Sequence, residues 1–569
     1  MQQAFSANAL SSMSPFKNLI TLKHKDNARK RRLMSPSANW IHIWGFVTGA
    51  VISGEFSGFN TGYSYGLGSM IVAHTLMCCL MITVSLNLVE LTLCMPFASG
   101  CAAWAKAAFG GPAGCLIGMA YTLDMVFIGA EVTQFLGLTM TSIFSGDVDL
   151  KILYWLLTIG FCWTINLHPK VFFNTITAMS AISVVLVVAP LLVCIQDFDF
   201  SLAWETVMPD GSISRDFLPF GVMGVAQSCA TALYLLICFE ALPVIIEETS
   251  KATKNIQRGM IAANVTLLGV SWISLVVCAG MKPGVKQLAF AQLPYTAIIT
   301  AAYPHANEQA INLVNIPGIF ASQLAIYYAC TRYIYGLSRS GYLPQVCSLT
   351  NRWGSPWVSM IVTNSLWFIF SLIYQFIPIM QTEGIFLALG TIFAMTAYLV
   401  QPLVYLKLHY SMVSLPRPFK IPFGLGPLVA IVNFLIACAG IMAMVAYNTI
   451  WRWCLLGILA GYAFITPFYF FFIKQNLENS PEKIFMKEQM KMRINEQVED
   501  AIFAQSKQSS RPSSVQIFTS NVKYSSRPSS VKATTSIVKD PLVAVENRKN
   551  EIKSNLADLY GAGNFKREK

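Results

Sequence analysis

Long apolar stretches, separated by short polar connections, dominate the chain from about residue 40 to residue 474. Most of them reach the roughly 20 residues that an α-helix needs to cross a hydrocarbon layer about 30 Å thick. The pattern therefore predicts an all-α polytopic membrane protein with about twelve spanning helices, numbered here in chain order. The predicted spans are 40–62, 68–95, 112–143, 151–167, 171–196, 218–246, 259–281, 312–338, 357–379, 384–406, 426–448 and 453–474.

The first predicted span contains glycines and a carboxylate inside an otherwise apolar helix. In the segment GAVISGEFSGFNTGYSYG, from Gly49 to Gly66, Gly54 and Gly58 are poor helix formers and Glu55 is costly in hydrocarbon. At about 1.5 Å per residue, Glu55 lies near the middle of the bilayer. Irregular backbone at that depth is tolerated only where it is buried in protein or lines a cavity. The segment therefore predicts a broken helix and a ligand site.

A second interruption occurs in the sixth predicted span, where Glu240 and Pro243 stand inside the run YLLICFEALPVII. The acidic pair Glu247 and Glu248 marks the end of this span, which places Glu240 at a depth similar to that of Glu55. Spans 1 and 6 are five spans apart. This separation predicts two inverted five-span repeats, spans 1–5 and 6–10, with the broken helices forming the site of a secondary transporter.

Charge follows the predicted topology. The chain has 569 residues, 54% hydrophobic and 12% charged, with a mean hydropathy of +0.53 and a net charge of +12. Basic residues cluster before the first span and in the even-numbered connections, whereas the odd-numbered connections are richer in aspartate. The positive-inside bias predicts that both termini are cytoplasmic. Because topology explains the basic excess, no nucleic-acid partner is expected.

Composition predicts three regions. Residues 1–38 form a basic cytoplasmic arm, residues 39–474 form the membrane domain, and residues 475–569 form a largely disordered cytoplasmic tail. In the tail, SSRPSSVQIFTSNVK recurs as SSRPSSVKATTSIVK after sixteen residues. The serines that follow the repeated arginine are typical of basic-directed phosphorylation sites, so a kinase is an expected partner, and a neutral duplication is the alternative explanation.

Other classes of chemistry are not expected. None of the 14 cysteines falls in the predicted outer connections, so we expect no disulfide-linked accessory subunit. No nucleophile–base set, metal-ligand cluster or phosphate-binding loop stands out in the sequence. The chain is therefore not expected to be an enzyme or to need a metal or cofactor.

Further motifs resemble those of a known group of permeases. ELTLCMPFASGCAAWAKAAFGGPAGCLIG, from Glu90 to Gly118, YGLSRSGYLPQVCSLTNRWGSPW, from Tyr335 to Trp357, and RPFKIPFG, from Arg417 to Gly424, are similar to loops of the amino acid–polyamine–organocation superfamily. The resemblance covers roughly residues 40–470 and implies its transporter fold. Within the superfamily, SGEFSGFN, from Ser53 to Asn60, is most similar to the ethanolamine permease group.

The intramembrane carboxylates agree with that resemblance, because a substrate with an ammonium group and no carboxylate suits an acidic site. Asp124 and Glu131 are seven residues apart in span 3, close to one helical face. Asp124 and Glu240 also match acids in the ethanolamine permease pattern. The candidate substrate-binding residues are Ser53, Gly54, Glu55, Ser57, Gly58, Tyr121, Asp124, Phe239 and Glu240.

Each carboxylate also has a structural interpretation. Glu55 and Glu240 could hold the broken helices in shape, and Asp124 could bind another span. For Glu131 we favour a structural role. Glu90, near the predicted cytoplasmic end of span 2, is interpreted as a gate or as the salt-bridge partner of a loop rather than as a ligand.

Three functional hypotheses follow. The first is a permease for a small organic amine such as ethanolamine, working by alternating access in the plasma membrane. The second is an amino acid permease or exchanger of the same fold, and the third is a transport-inactive nutrient sensor. Several proton-coupled relatives in the superfamily carry a lysine midway along span 5, where this chain has Ser183, so the coupling mode stays open.

Overall fold

The structure is a computed structural model that describes residues 33, 36–144, 150–377, 384–412 and 415–474. Most of the predicted arm and all of the predicted tail, with its repeat, lie outside these residues. The α-helices are α1 (Trp40–Val51), α2 (Ser53–Phe56), α3 (Leu67–Cys94), α4 (Cys101–Phe109), α5 (Gly111–Phe144), α6 (Lys151–Asn166), α7 (Pro169–Val193), α8 (Gly221–Tyr234), α9 (Ala252–Gly280), α10 (Val285–Leu288), α11 (Pro294–Ala302), α12 (Glu308–Asn312), α13 (Ile316–Ser340), α14 (Trp357–Phe376), α15 (Ile385–Ser411), α16 (Gly426–Ala446) and α17 (Thr449–Phe468).

The helices account for the twelve predicted spans. Ten helical segments are long and apolar enough to cross a membrane, counted over the ranges that the structure describes. The other two spans are the first, where α1 has 12 residues before the chain is interrupted, and the fourth, where α6 has 16 residues. The polytopic α-helical fold predicted from hydropathy is confirmed.

Burial separates the spans into an inner and an outer group. In span 6 (Gly221–Glu248), 89% of the most apolar stretch of 18 residues is buried inside the protein. In span 8 (Glu308–Ser340), the share of the corresponding stretch is 72%. The same share falls to 28% in α16 and 17% in α17. The apolar surface of these last two helices therefore faces lipid, whereas the broken span 6 lies at the centre of the molecule.

Part of the predicted outer surface is folded rather than extended. The connection between spans 7 and 8 contains the short helices α10 and α11, which the span pattern did not predict. Between spans 5 and 6, a two-stranded antiparallel sheet pairs β1 (Thr206–Val207) with β2 (Ile213–Ser214).

The end of the N-terminal arm is attached to the membrane domain. The backbone N–H groups of Ser37 and Ala38 donate to the carbonyl oxygen of Glu248 at 2.9 and 3.0 Å, and Ser250 N–H donates back to Ala38 at 2.9 Å. Ala38 and Thr249 form a parallel β-bridge. The residues just before span 1 are therefore bound to the end of span 6, on the predicted cytoplasmic side.

Candidate functional site

The first span remains helical further than its glycines suggest. The single residue Ile52 joins α1 to α2, and Ser57 then adopts an extended conformation, with φ −156° and ψ 137°. Gly58 has a φ of +91°, a left-handed conformation that favours glycine. A 3₁₀-helix, Phe59–Tyr65, follows. The break predicted from sequence is confirmed, and it lies at Ser57 and Gly58.

A serine on span 8 supports the helical side of this break. The Ser53 N–H donates to the Ser322 hydroxyl at 2.9 Å, and that hydroxyl donates to the Gly49 carbonyl oxygen at 2.7 Å. All three residues are buried or nearly so. The Ser322 side chain therefore satisfies both a backbone donor and a backbone acceptor at the junction of α1 and α2.

The second break is also confirmed. After α8 ends at Tyr234, Cys238 takes a left-handed conformation with a φ of +82°, which is unusual for a residue other than glycine. A 3₁₀-helix, Phe239–Glu248, then continues through Pro243 towards the predicted cytoplasmic side. Phe239 and Glu240 are its first two residues, and both are fully buried.

The two breaks lie against each other. A Cβ atom added to Gly54 would approach the Tyr234 carbonyl oxygen to 2.9 Å and the Leu235 Cα to 3.1 Å. A Cβ atom on Gly58 would approach the Tyr234 ring to 3.0 Å. The glycines of the first break are therefore needed for close contact with the backbone and side chain of the second.

Asp124 and Glu240 form the centre of a cluster of buried acidic and aromatic side chains, called here the acidic chamber. Asp124 on span 3 and Glu240 on span 6 face each other, and both are 0% exposed. The Tyr398 hydroxyl on span 10 donates to Glu240 Oε2, and the Tyr333 hydroxyl on span 8 donates to the Glu240 carbonyl oxygen at 2.6 Å. The Tyr121 ring packs against the Tyr333 ring with centroids 5.6 Å apart. Four spans thus contribute to one acidic chamber with aromatic walls.

The chamber has unused hydrogen-bond acceptors. Apart from the mutual approach of the two carboxyl groups, neither oxygen of Asp124 nor Oε1 of Glu240 has a donor among the described residues. A primary ammonium group carries three N–H donors and a positive charge. The pair can therefore share one proton or one ammonium group.

Glu55 lies on the other side of the first break. Its carboxyl group is 1% exposed and lies beside the Ser274 hydroxyl on span 7. Other side chains around it are Tyr63, Tyr295 of α11 and Cys278 of span 7. Asp124 and Glu240 interact with each other instead. The structure therefore places Glu55 beside span 7 and α11, separate from the acidic chamber.

Glu131 lies two helical turns from Asp124 on span 3, about 10 Å along the helix axis. Its side chain is near Tyr234 of the second break and Tyr374 of span 9, and its Oε2 atom has no hydrogen-bond partner in the described ranges. The four intramembrane carboxylates therefore occupy three separate environments.

Carboxylates near the predicted cytoplasmic side are paired with arginine. Glu90 binds Arg417 and also accepts from the Tyr405 hydroxyl and the Ile421 N–H, both at 3.0 Å. Of the two interpretations of Glu90, the structure supports the salt bridge to a loop, and it identifies that loop as RPFKIPFG. The other two pairs are Glu247 with Arg339 at 2.6 Å and Glu248 with Arg332 at 3.2 Å.

Span 5 donates one hydroxyl hydrogen bond to span 1. Ser180 donates to the Gly45 carbonyl oxygen at 2.6 Å, whereas Ser183 donates within its own helix to Met179 at 2.7 Å. Ser183 is fully buried and brings no charge to the break.

Sequence reasoning did not identify Ser322, Tyr333 or Tyr398 as parts of the site. Tyr333 lies two residues before the YGLSRSGYLP motif, which begins at Tyr335. Its place beside that motif is the sequence feature that could have drawn attention to it. Tyr398 stands in an apolar run of span 10, where an aromatic residue is ordinarily a packing residue.

A cavity of about 420 Å³ opens on the predicted outer side. Polar side chains on its wall include Ser142, Thr296 and Asn312. Thr296 donates to Asn312 at 2.7 Å, and Asn312 donates to Ser142 at 3.2 Å. This hydrogen-bonded wall joins α11 to spans 3 and 8.

The chain belongs to the amino acid permease family, whose model matches residues 39–484. It is 26% identical to the methylthioribose transporter of Bacillus subtilis over 38% of this chain and 45% of the relative, and 24% identical to the branched-chain amino acid permease of the same organism over 43% and 51%. The matched region thus spans about half of each relative. A manganese transporter from Eremococcus coleocola has 12% identity and a TM-score of 0.49, over 79% of this chain and 99% of that one.

Proposed function

We propose that this secondary transporter moves a small organic amine, with ethanolamine as the leading candidate, and binds its ammonium group in the chamber of Asp124 and Glu240. Tyr121 and Phe239 belong to the proposed wall. Ser53, Gly54, Ser57 and Gly58 shape the break next to it. The membership of the chain in a permease family supports secondary transport.

One observation carries the proposal. Glu90, Glu247 and Glu248 each have an arginine partner, whereas no ion pair joins Asp124, Glu131, Glu240 or Glu55 to a basic side chain in the described ranges. A buried carboxylate without a counter-charge is strongly unfavourable, so its charge must be neutralised by a proton or by a cation that the protein binds. A substrate with an ammonium group supplies that charge and is held by carboxylates and aromatic rings.

The membrane potential favours such a substrate. An inside-negative potential of 100 mV contributes about 2.3 kcal/mol per elementary charge, enough to accumulate a monovalent amine roughly fifty-fold. An amine carrier therefore needs no second gradient for net uptake, although it can use one.

An amino acid is the second candidate, favoured by the family and by the branched-chain amino acid permease among the relatives. In that case the substrate carboxylate would bind free N–H groups at the broken helices, and its ammonium group would bind the acidic chamber. A transport-inactive sensor is the third candidate.

Uptake by the purified chain in proteoliposomes tests the proposal. We expect radiolabelled ethanolamine to accumulate under an inside-negative potential, and unlabelled ethanolamine to compete while neutral amino acids do not. Inhibition by a neutral amino acid, with no effect of ethanolamine or choline, supports the amino acid permease and excludes the amine carrier. Saturable binding without flux indicates the sensor.

A further inference from the structure

A second cluster of polar side chains, called here the Glu55 pocket, lies between spans 1, 2 and 7, away from the acidic chamber. The Glu55 carboxyl group lies beside the Ser274 hydroxyl, whose Oγ is 3.0 Å from the Tyr295 hydroxyl of α11. The Tyr63 hydroxyl donates to the Leu275 carbonyl oxygen at 2.7 Å. Apart from Ser274, neither Glu55 oxygen has a donor within the described parts of the chain. The pocket is therefore polar but holds a carboxyl group that is not fully satisfied.

The titratable neighbours of Glu55 come from four elements packed around it. Tyr63 follows the first break, Tyr295 lies on α11, Cys278 on span 7 and Cys78 on span 2. One turn before Cys78, the buried His74 has its Nε2 3.0 Å from the Ser271 hydroxyl and 3.4 Å from the Cys78 sulfur. His74 is the one basic side chain in this part of the described structure, and it contacts Ser271 and Cys78 rather than Glu55.

Helix α2 connects this pocket to the substrate region. The four residues of α2 contact three different elements: the Ser53 N–H binds Ser322 of span 8, Gly54 packs against the backbone of the second break, and the Phe56 ring packs near Tyr295, with centroids 5.7 Å apart. Glu55 stands between Gly54 and Phe56. Helix α2 therefore belongs to the first break and packs against the second. A change in the charge of Glu55 acts on this helix.

We propose that Glu55 is the binding site for a coupling proton, separate from the chamber that binds the amine. The inference rests on the proposed function, because a coupling proton requires a transported substrate. In the outward-open state, the Glu55 carboxylate takes up a proton from the outer solution and forms a carboxyl O–H bond. In the inward-open state, the same O–H bond breaks and the proton enters the cytoplasm, so one proton crosses in each cycle.

A proton suits this pocket better than a metal ion. The described residues contain no group of three or more histidine, cysteine, aspartate or glutamate side chains that could hold a metal. The Tyr63 hydroxyl is already used by a backbone carbonyl group, which leaves few oxygen ligands. A proton needs no coordination shell, and protonation removes the cost of burying an unpaired carboxylate.

The outer cavity is the entrance for this proton. Tyr295 and Thr296 are neighbours on α11; Tyr295 is 0% exposed and belongs to the Glu55 pocket, whereas Thr296 lines the cavity of about 420 Å³. The two residues stand about 100° apart around one short helix. In the proposed cycle, a displacement of α11 opens the Glu55 pocket to the cavity.

The proposal is tested by measuring two activities of Glu55→Gln: exchange of labelled for unlabelled amine, and accumulation driven by a pH gradient. Only the second needs net movement of protons. Wild type, Glu55→Gln and the control Asp210→Asn, which removes an exposed carboxylate from an outer turn, are compared in proteoliposomes. We expect Glu55→Gln to keep amine exchange within about twofold of wild type, while accumulation driven by an inward pH gradient falls at least about tenfold. Asp210→Asn should retain both activities.

A second variant, Ser274→Ala, keeps the carboxyl group and removes the hydroxyl beside it. We expect it to retain exchange and to shift the pH at which gradient-driven uptake is half-maximal. An unchanged pH profile contradicts the assignment of the pocket.

Three further results overturn the proposal. They are wild-type exchange with no response to the pH gradient, accumulation driven by a sodium gradient instead, and a Glu55→Gln variant that loses exchange together with substrate binding. Absence of any amine exchange in wild type overturns the proposed function itself, which makes the two failures distinguishable.

Discussion

At the scale of single residues, the partners of the carboxylates decide their roles. Glu90, Glu247 and Glu248 bind arginines and hold the predicted cytoplasmic side together. Asp124 and Glu240 face each other, and only Glu240 accepts from a tyrosine hydroxyl, that of Tyr398. The remaining carboxyl oxygens have no donor among the described residues, which is why we propose that they bind substrate.

The sequence predicted which acidic residues lie inside the membrane and at what depth, because depth follows from the rise of a helix. It could not predict which way Glu55 faces, because that depends on how α2 packs. The hydroxyl beside its carboxyl group belongs to Ser274 on span 7, far from Glu55 along the chain. The direction of a side chain is set by such long-range contacts, which one sequence does not reveal.

The pairing of Asp124 with Glu240 yields a prediction about affinity. We expect Asp124→Asn to weaken the apparent affinity for ethanolamine at least about tenfold, equal to about 1.4 kcal/mol, because it removes one of two facing negative charges. Glu131→Gln is the matched change on the same helix, about 10 Å away along the axis, and should alter affinity less than about threefold. Concentration-dependent uptake measures both.

Equal losses of affinity in the two variants would mean that the total negative charge of span 3 determines amine binding, and not the position of Asp124 in the chamber. A larger loss for Glu131→Gln would move the amine site towards Tyr234 and the second break.

At the scale of elements, the two broken helices are the part of the fold that the sequence marked most clearly. Gly58 takes the left-handed conformation that interrupts span 1, and Pro243 lies inside the 3₁₀-helix of span 6. The left-handed turn at Cys238 had no sequence signal, because a cysteine in an apolar run gives no indication of a break.

The contact between the breaks predicts that Gly54→Ala abolishes most transport. The alanine Cβ atom would lie 2.9 Å from the Tyr234 carbonyl oxygen. Because that oxygen belongs to the backbone, it cannot move aside as the end of a flexible side chain can. We expect exchange of labelled amine to fall below about one tenth of wild type while the protein still inserts and purifies. Gly269→Ala is the control, since that glycine is exposed on α9 and a Cβ atom there meets nothing within 4 Å.

Normal exchange by Gly54→Ala would show that the breaks separate easily, and that their close packing is not part of the working cycle. A loss of exchange in Gly269→Ala as well would attribute both effects to helix stability.

At the scale of the whole molecule, hydropathy predicted the twelve spans but not the packing of their connections. Apolar length alone identifies α16 and α17, which face lipid and need few specific contacts. The helices α10 and α11 are short and partly polar, and their positions depend on contacts such as that of Asn60 Nδ2 with the Leu288 carbonyl oxygen at 2.7 Å. Such contacts join residues 228 positions apart and leave no local pattern.

The predicted cytoplasmic side is closed by several contacts around span 6. Arg332 binds Glu248 with both side chains 0% exposed, and the Arg332 guanidinium stacks 3.6 Å from the Tyr328 ring centroid. Arg339 binds Glu247 nearby, and the backbone of Ser37 and Ala38 pairs with Glu248. These contacts all hold the end of one 3₁₀-helix, so opening this side of the molecule, as the proposed alternating access requires, would break or move them together.

The buried pair Arg332 and Glu248 predicts a non-additive effect on stability. Removing one partner leaves an uncompensated charge away from water, which typically costs about 3–5 kcal/mol, whereas replacing both by apolar side chains is often close to neutral. We expect Arg332→Met and Glu248→Met each to lower the midpoint of thermal unfolding in detergent, and the double variant to unfold nearer to wild type than either single variant. Arg339→Met, at a pair whose side chains are 29% and 22% exposed, should change the midpoint much less. Strictly additive losses in the double variant would show that each side chain is held by its other neighbours, and that the ion pair does not close this side of the molecule.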